Sequence, residues 1–310
     1  PDIAPVRIPS HLLRYNRHVR TSSQQDKIIN NKNEKKMKVI GLGPARSGTD
    51  SLRSALKTLG FGPTYHMKEI LFEESGLSTY NDADLWLKLA LAEDETEKNK
   101  LIATILEPWN SGVDWPMSAF PEQLLKVYPD AKFILTMRSS AEAWYNSLTG
   151  SICKIESNNW SVSIVRKIPL FPFTRMKRVN IMMGAVVRSQ LEGDNFVHMC
   201  DPAKMEATMK WYDDWNARIQ RIVPKDQLLV FKTGEDGYEQ LASYLGVAVP
   251  EKPYPSVNST REVKFALVQI RLVALLVVAV WLFFLVTLVR GIHRLMNERD
   301  TVPRKGIKDN

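Results

Sequence analysis

Short apolar runs alternate with longer amphipathic stretches along the chain from Lys38 onward. Three of the runs, 39–42, 132–137 and 228–232, are continuous and short, which is typical of strands buried in a parallel sheet. Strands that alternate with helices predict an α/β domain, with a parallel sheet flanked by helices. Apolar residues at helical spacing predict the helices at 49–59, 81–105, 141–148, 203–223 and 237–245.

The segment 272–289 differs from every other apolar run in its length. Its eighteen residues contain one polar side chain, Thr287, and Arg271 and Arg290 bracket it. An apolar stretch of about 20 residues spans the ~30 Å hydrocarbon core of a bilayer, so we predict one C-terminal transmembrane helix. The chain then divides into a disordered basic N-terminal segment (1–37), a globular domain (38–256), a linker (257–271), the transmembrane helix (272–289) and a basic tail (290–310).

The net charge of +8 is concentrated at the two ends of the chain. Residues 1–38 hold nine Lys/Arg and three Asp/Glu, and residues 290–310 hold six and three, which leaves a net of −1 for residues 39–289. Enzymes that act on nucleic acid need basic side chains clustered on the folded domain. The distribution therefore disfavours nucleic acid as a partner and suits a membrane surface.

The chain has two cysteines, Cys153 and Cys200. They form no CxxC pair, and no pair of histidines at ligand spacing accompanies them, so no metal site is predicted. We expect two free, buried thiols, with a single disulfide as the alternative.

A glycine-rich segment, GLGPARSGTDSL at 41–52, lies between the first predicted strand and the first predicted helix. In such a turn the backbone N–H groups and the helix N-terminus face an anion. An ATP-binding loop reads GxxxxGK[ST], and Gly43 and Gly48 keep that spacing. Thr49 stands in the lysine position, however, and the cation of the loop is Arg46.

The strand at 132–137 is followed by a second cation, Arg138, where a nucleotide hydrolase would place a carboxylate for magnesium. Two cationic sites without that carboxylate fit a doubly phosphorylated adenosine better than a triphosphate. A P-loop kinase or NTPase is therefore the less favoured alternative.

These two segments resemble motifs of a known family. PARSGTDSL at 44–52 resembles the sulfotransferase loop that binds the 5′-phosphosulfate, and YPDAKFILTMR at 128–138, with Ser147 after it, resembles their 3′-phosphate motif. FGPTYHM at 61–67 and DWP at 114–116 are similar to the fungal and protozoan P-loop, nucleotide-kinase-like subfamily, often mislabelled as NAD-dependent epimerases or dehydratases. The resemblance implies sulfuryl transfer from 3′-phosphoadenosine 5′-phosphosulfate (PAPS), without a metal, to a hydroxyl or amine of a small-molecule acceptor.

The resemblance also assigns residues to the binding of PAPS. Asp50 departs from the family pattern, because relatives carry an uncharged residue there. Arg138 and Ser147 are nine residues apart, one more than usual, so either serine directly after Arg138 is an alternative. The implied binding residues are Arg46, Ser47, Gly48, Thr49, Asp50, Ser51, Arg138 and Ser147.

The candidate catalytic residues are Arg46, Asp114 and His66. Arg46 would neutralise the charge that develops on the leaving nucleotide. VDWP at 113–116 occupies the place of the segment that carries the histidine base in cytosolic sulfotransferases, which makes Asp114 the first candidate base. His66 is the competing base or a substrate-orienting partner, and Glu69 is a third candidate.

Membrane attachment bears on both location and acceptor. We expect a single-pass protein of the endoplasmic reticulum or Golgi whose domain faces the cytosol, as when a C-terminal span is inserted after synthesis. Six Lys/Arg after the span against four shortly before it favour the opposite orientation, and the sequons at Asn159 and Asn258 are usable only in a lumenal domain. An anchor suggests a hydrophobic acceptor.

The alternative function is a catalytically inactive sulfotransferase-like membrane protein that binds a partner or lipid.

Two further stretches carry weaker signals. The mixed basic and apolar stretch 164–187 is interpreted as a mobile lid, a cover over the substrate cleft or a lipid-docking surface. Trp211, Tyr212 and Trp215 stand at helical spacing and are interpreted as core.

Overall fold

A sheet of five parallel strands lies at the centre of the described structure. The computed structural model describes residues 37–78, 82–156, 161, 164, 173–190, 199–257 and 259–300. Its strands are β1 (Val39–Gly41), β2 (Thr64–Tyr65), β3 (Ser111–Gly112), β4 (Lys132–Met137) and β5 (Leu228–Lys232). They lie side by side in the order β2-β3-β1-β4-β5.

Helices connect the strands and cover both faces of the sheet. They are α1 (Thr49–Thr58), α2 (Met67–Phe72), α3 (Asp82–Leu91), α4 (Glu95–Leu106), α5 (Pro121–Val127), α6 (Ala141–Thr149), α7 (Ile152–Glu156), α8 (Phe173–Gln190), α9 (Met205–Ile222), α10 (Tyr238–Leu245) and α11 (Ser259–Asp300).

Alternate residues of the central strands pack on opposite faces of the sheet, as the two-residue period of a strand requires. Ile40 and Phe133 pack with residues of α3, α4, α5 and α9 on one face. Val39 and Ile134 pack with α1 and α10 on the other. All four side chains are fully buried. Burial on both faces explains why these strands form continuous apolar runs in the sequence.

The predicted α/β class and the three predicted strands are confirmed, with β1 one residue shorter than expected. β2 and β3 were missed because two residues are too few to set a period. The prediction of one helix at 81–105 is wrong, since α3 ends at Leu91 and α4 begins at Glu95. The Asp94 side chain accepts a hydrogen bond from the Glu97 N–H at 2.9 Å and so starts a new helix.

Helix α8 takes up most of the stretch 164–187 and ends at Gln190, and the interpretation of that stretch as a mobile lid is wrong for this helix. Val179, Met182 and Val186 are buried in the same core as β1 and β4. Arg178 also forms an ion pair with Asp84 of α3 at 2.9 Å. The interpretation of the aromatic residues of α9 as core is confirmed for Trp215 and Tyr212, which are buried, while Trp211 is partly buried against both of their clusters.

Cys153 and Cys200 form a disulfide, so the expectation of two free thiols is wrong. The bond joins α7 to the segment that precedes α9. Trp144 of α6 and Tyr212 of α9 stack beside it, with ring centroids 4.6 Å apart, in one buried cluster with Cys153. The two cysteines are 47 residues apart in the sequence, so their pairing depends on tertiary packing that the sequence pattern does not reveal.

Helix α11 runs without interruption for 42 residues. Its part Leu267–Arg294 is the one helix among the described residues that is long and apolar enough to cross a membrane. Large apolar side chains are exposed on it, for example Trp281 at 72% and Phe283 at 66%. The helix also takes up most of the expected linker, which contains no Gly or Pro after Ser259. Residues 1–36, 301–310 and the two sequon asparagines lie outside the described residues.

Candidate active site

The sequence-predicted site residues lie at the carboxyl end of the sheet. Residues 42–48, here called the phosphate loop, follow β1; His66 follows β2; Asp114 follows β3 by two positions; and Arg138 follows β4. Thr233, at the end of β5, completes the edge. Open parallel sheets bind ligands at this edge, where the strand order reverses. The fold therefore collects residues that are far apart in the chain.

Two glycines let the phosphate loop pack closely against neighbouring strands. A Cβ at Gly43 would collide with Thr136 of β4, and one at Gly48 would lie 2.6 Å from Thr233 Oγ1. Gly48 also has a φ of 100°, which a residue with a Cβ rarely adopts. Neither position accommodates a larger side chain.

The Ser47 side chain fixes the phosphate loop from within. Its hydroxyl donates to the Pro44 carbonyl oxygen at 2.6 Å and lies 2.8 Å from Thr136 Oγ1. Thr233 Oγ1 donates to the Ser47 carbonyl oxygen at 2.6 Å. The Ser47 hydroxyl is thus engaged in holding the loop against β4 and β5.

Arg138 joins the end of β4 to the phosphate loop. Its Nε donates to the carbonyl oxygen of Arg46 at 2.9 Å, and its Nη2 donates to Ser147 Oγ of α6 at 3.2 Å. The Trp144 indole N–H donates to the Ala45 carbonyl oxygen at 2.9 Å. The two arginines predicted from the sequence therefore sit next to each other, and Ser147 lies beside them.

The other serines and Thr49 have separate placements. Ser140 caps α6 by accepting the Ala143 N–H at 3.0 Å, so Ser147 is the serine that contacts Arg138. Thr49 begins α1 and is buried. Ser51 Oγ accepts the Val257 N–H at 3.1 Å, which ties α1 to the segment before α11.

His66 and Asp114 form a buried pair. His66 Nε2 lies 3.4 Å from Asp114 Oδ2, and His66 Nδ1 accepts the Lys68 N–H at 3.1 Å. Because Nδ1 is an acceptor, the proton of the neutral imidazole is on Nε2, facing Asp114. Among the described residues, His66 Nε2 and Asp114 Oδ1 are buried without a hydrogen-bond partner. Buried polar atoms of this kind mark a position where a ligand or water belongs.

Burial lowers the pKa of His66 below its usual value, although the carboxylates of Asp114 and Asp50 act in the opposite direction. The imidazole is therefore neutral at pH 7, which agrees with its acceptor role at Nδ1.

Asp50, the charged departure from the family pattern, is paired with a lysine. Lys68 Nζ of α2 donates to Asp50 Oδ2 at 2.6 Å. Burial opposes the ionisation of Asp50, but the Lys68 hydrogen bond and the nearby cationic groups outweigh it, so the pKa of Asp50 lies below its usual value.

Glu69, the third candidate base, has a structural role. It is fully buried and forms an ion pair with Arg53 of α1. Its other oxygen accepts hydrogen bonds from the Ser75 N–H at 3.0 Å and the Ser75 hydroxyl at 2.7 Å. Both carboxylate oxygens are occupied.

Sequence reasoning missed Lys68, Thr136 and Thr233 as parts of this site. Thr136 is the penultimate residue of β4 and Thr233 directly follows β5, so the signal was a polar residue near the end of a predicted strand. For Lys68 there was no such signal. Within the described part of the chain, no group of three or more His, Cys, Asp or Glu side chains could hold a metal ion.

Comparison with known proteins places this chain among the sulfotransferases. The family model described as a sulfotransferase domain matches residues 38–263. Ava biosynthesis cluster protein M from Aspergillus versicolor is 31% identical over 229 residues, which cover 71% of this chain and 80% of that protein. The crystal structure of a sulfotransferase from Alicyclobacillus acidocaldarius is 14% identical, covering 76% of this chain and 93% of that chain, with a TM-score of 0.35. On the family match and the identity to the Aspergillus protein, the chain belongs to the sulfotransferase family.

Proposed function

We propose that this protein transfers the sulfuryl group of PAPS to a hydroxyl or amine of a small-molecule acceptor. The observation that carries the proposal is the junction of Arg46, Arg138 and Ser147 at the carboxyl end of β1 and β4. The positive charges of the two arginines, and the helix N-terminus that follows the loop, suit an anion with two phosphate-bearing ends. Membership of the sulfotransferase family supports the same reaction class.

The phosphate loop fits the 5′ end of PAPS. Gly48 and Thr49 stand at the start of α1, where backbone N–H groups point out of the helix toward an anion. When bound, PAPS supplies an activated sulfuryl group whose departure leaves negative charge on the nucleotide. Arg46 has the charge and the position in the loop to neutralise it.

The 3′-phosphate fits Arg138 and Ser147. The Nε of Arg138 donates a hydrogen bond to the Arg46 carbonyl oxygen, so Arg138 links the two proposed phosphate-binding regions in addition to carrying a positive charge. Ser147 adds a hydroxyl 3.2 Å from the same guanidinium group. A nucleotide that lacks the 3′-phosphate would make no use of this second region.

Asp114 is the better of the two candidate bases. Neutral His66 carries its proton on Nε2 and uses Nδ1 as an acceptor, so neither nitrogen is ready to accept a proton. Asp114 Oδ1 is buried and has capacity to accept one from an acceptor hydroxyl. His66 Nε2 lies 3.4 Å from Oδ2, so its N–H faces that oxygen and leaves Oδ1 for the acceptor.

The membrane helix bears on location. We propose that α11 spans the bilayer in a single pass in the endoplasmic reticulum or Golgi, and that the catalytic domain faces the lumen rather than the cytosol. The disulfide supports a lumenal domain, because such bonds persist in oxidising compartments. The larger number of Lys/Arg after the span supports a cytosolic tail, which gives the same orientation. An anchored enzyme favours a hydrophobic acceptor.

Calorimetry with adenosine 3′,5′-bisphosphate tests the function. The full-length protein in detergent should bind this product analogue more tightly than 5′-AMP, which lacks the 3′-phosphate. Arg138→Met and the milder Ser147→Ala should reduce that preference, by roughly ten- to a hundredfold for Arg138, because charge-assisted hydrogen bonds contribute about 1.5–3 kcal/mol. Arg221→Met on the exposed side of α9 is the control and should not change it.

Two outcomes would count against the proposal. Equal affinity for the bisphosphate and 5′-AMP would show that the protein has no site for the 3′-phosphate. Tight binding without transfer of radiolabelled sulfate from PAPS to any component of a lipid extract would favour the catalytically inactive alternative.

A further inference from the structure

Helix α1 begins at the phosphate loop and carries a carboxylate in its first turn. Asp50 is the second residue of the helix, and its side chain is 15% exposed. The N-terminus of a helix attracts negative charge, so a carboxylate there competes with any anion bound to the same end. Left uncompensated, Asp50 would weaken the attraction of the phosphate loop for a phosphate group.

Lys68 compensates this charge from a different helix. Its Nζ lies 2.6 Å from Asp50 Oδ2, and its side chain is 23% exposed. A partly buried pair is screened less by solvent than a surface pair. The Lys68 backbone N–H separately fixes His66 by donating to Nδ1. The backbone contact to the catalytic pair and the side-chain contact to the phosphate-loop helix therefore come from one residue.

The neighbouring cation on α1 already has carboxylate partners. Arg53 forms ion pairs with Glu69 and with Glu74, the latter at 2.7 Å. These two acids hold its guanidinium, so Lys68 is the cation that contacts the Asp50 carboxylate directly.

We propose that Lys68 is a positioning residue for donor binding: it neutralises Asp50 and holds its carboxylate, so that the phosphate loop keeps its affinity for the anionic 5′ end. This inference rests on the proposed function. It concerns the Lys68 side chain, so a substitution there leaves the backbone contact to His66 in place. The Asp50 and Lys68 side chains act as one unit, and the effect of losing the lysine depends on the presence of the aspartate.

A double-mutant cycle measured with adenosine 3′,5′-bisphosphate tests the dependence. Lys68→Met should weaken binding about tenfold, because it exposes the phosphate loop to an unpaired carboxylate. Asp50→Asn should strengthen binding a few-fold. The double variant Asp50→Asn with Lys68→Met should recover most of the affinity lost in Lys68→Met, and Lys68→Arg should retain most of it because the charge remains.

The control is Lys210→Met, which breaks an exposed pair with Asp214 of the same 2.6 Å length and should leave affinity unchanged. A purely structural role for Lys68 predicts instead that Asp50→Asn and Lys68→Met both weaken binding and that the double variant is no better than either. If the wild type binds the bisphosphate, either that result or unchanged affinity in Lys68→Met overturns the inference. Failure of the wild type to bind the bisphosphate overturns the proposed function and the inference with it.

Discussion

Arg46 and Asp114 share an unusual backbone conformation at the site. Each has a φ of 73°, in the left-handed region that residues with a Cβ rarely occupy. Such a conformation costs on the order of 1–3 kcal/mol and persists where the surroundings hold it. The Arg138 guanidinium holds the Arg46 carbonyl oxygen in this arrangement. Backbone strain at both candidate catalytic positions is typical of active sites and supports their assignment.

The roles of Asp114 and His66 can be separated by matched substitutions. The side chain of Asp114→Asn has nearly the same size and tolerates the left-handed backbone. It cannot take the proton from the hydroxyl or amine of the acceptor molecule, so kcat should fall about 10²–10⁴-fold. His66→Asn can still accept the Lys68 N–H at the start of α2, and its kcat should fall only about tenfold. The measurement is transfer of radiolabelled sulfate from PAPS to the acceptor fraction of a lipid extract.

Affinity for adenosine 3′,5′-bisphosphate is the control for both variants and should stay near the wild-type value. The opposite order, with His66→Asn the more damaging change, would make His66 the base and Asp114 its orienting partner.

At the residue scale, the sequence was sufficient to predict those site residues that lie together in one short segment. Gly43, Gly48 and Arg46 follow from one loop, and their placement between β1 and α1 agrees with the prediction. Lys68 could not be predicted, because it contacts Asp50 from a different helix, 18 positions away in the chain. The relation between Arg138 and Arg46 also depends on which strands lie side by side.

Among the elements, α6, α7 and the start of α9 depend on a covalent link as well as on packing. The Cys153–Cys200 disulfide closes a loop with a sequence separation of 47 residues, which includes α8. Cross-links of this kind restrict the unfolded chain.

Replacing both cysteines, as Cys153→Ser with Cys200→Ser, should lower the free energy of unfolding by about 2–4 kcal/mol. Denaturant unfolding of the detergent-solubilised full-length protein measures this difference. Reductant should destabilise the wild type to a similar extent and leave the double variant unchanged. Equal stability with and without reductant in the wild type would show that the bond does not stabilise the fold.

The order of the strands could not be predicted, although the longer elements could. β1, β4 and β5 carry apolar runs that burial on both faces requires. β2 and β3 hold two residues each and are defined by pairing alone, β3 with β1 and β2 with β3. The break between α3 and α4 depends on the single capping side chain of Asp94, which competes with an apolar pattern that continues across it.

For the whole molecule, the orientation of the domain relative to the membrane is the main consequence of α11. A lumenal domain and a cytosolic tail agree with both the disulfide and the charge bias. This proposed orientation is the opposite of the one expected from the position of the span alone.

Expression of the full-length chain in sealed microsomes tests the orientation. The domain should resist added protease and should carry glycan at Asn159 and Asn258, seen as a mobility shift that glycosidase and the double variant Asn159→Gln with Asn258→Gln both remove. Cys153 and Cys200 should react with a maleimide only after reduction. Complete digestion of the domain in intact vesicles would place it in the cytosol instead.

The hydrogen bond from the Val257 N–H to Ser51 Oγ places the segment before α11 next to α1, the helix that follows the phosphate loop. Helix α11 begins two residues later, and the apolar part starts at Leu267, eight residues into the helix. At ~1.5 Å per residue this is a helical spacer of about 12 Å. With α11 in the bilayer, an acceptor dissolved in lipid would reach the enzyme by lateral diffusion, and its turnover would follow mole fraction in the membrane rather than bulk concentration.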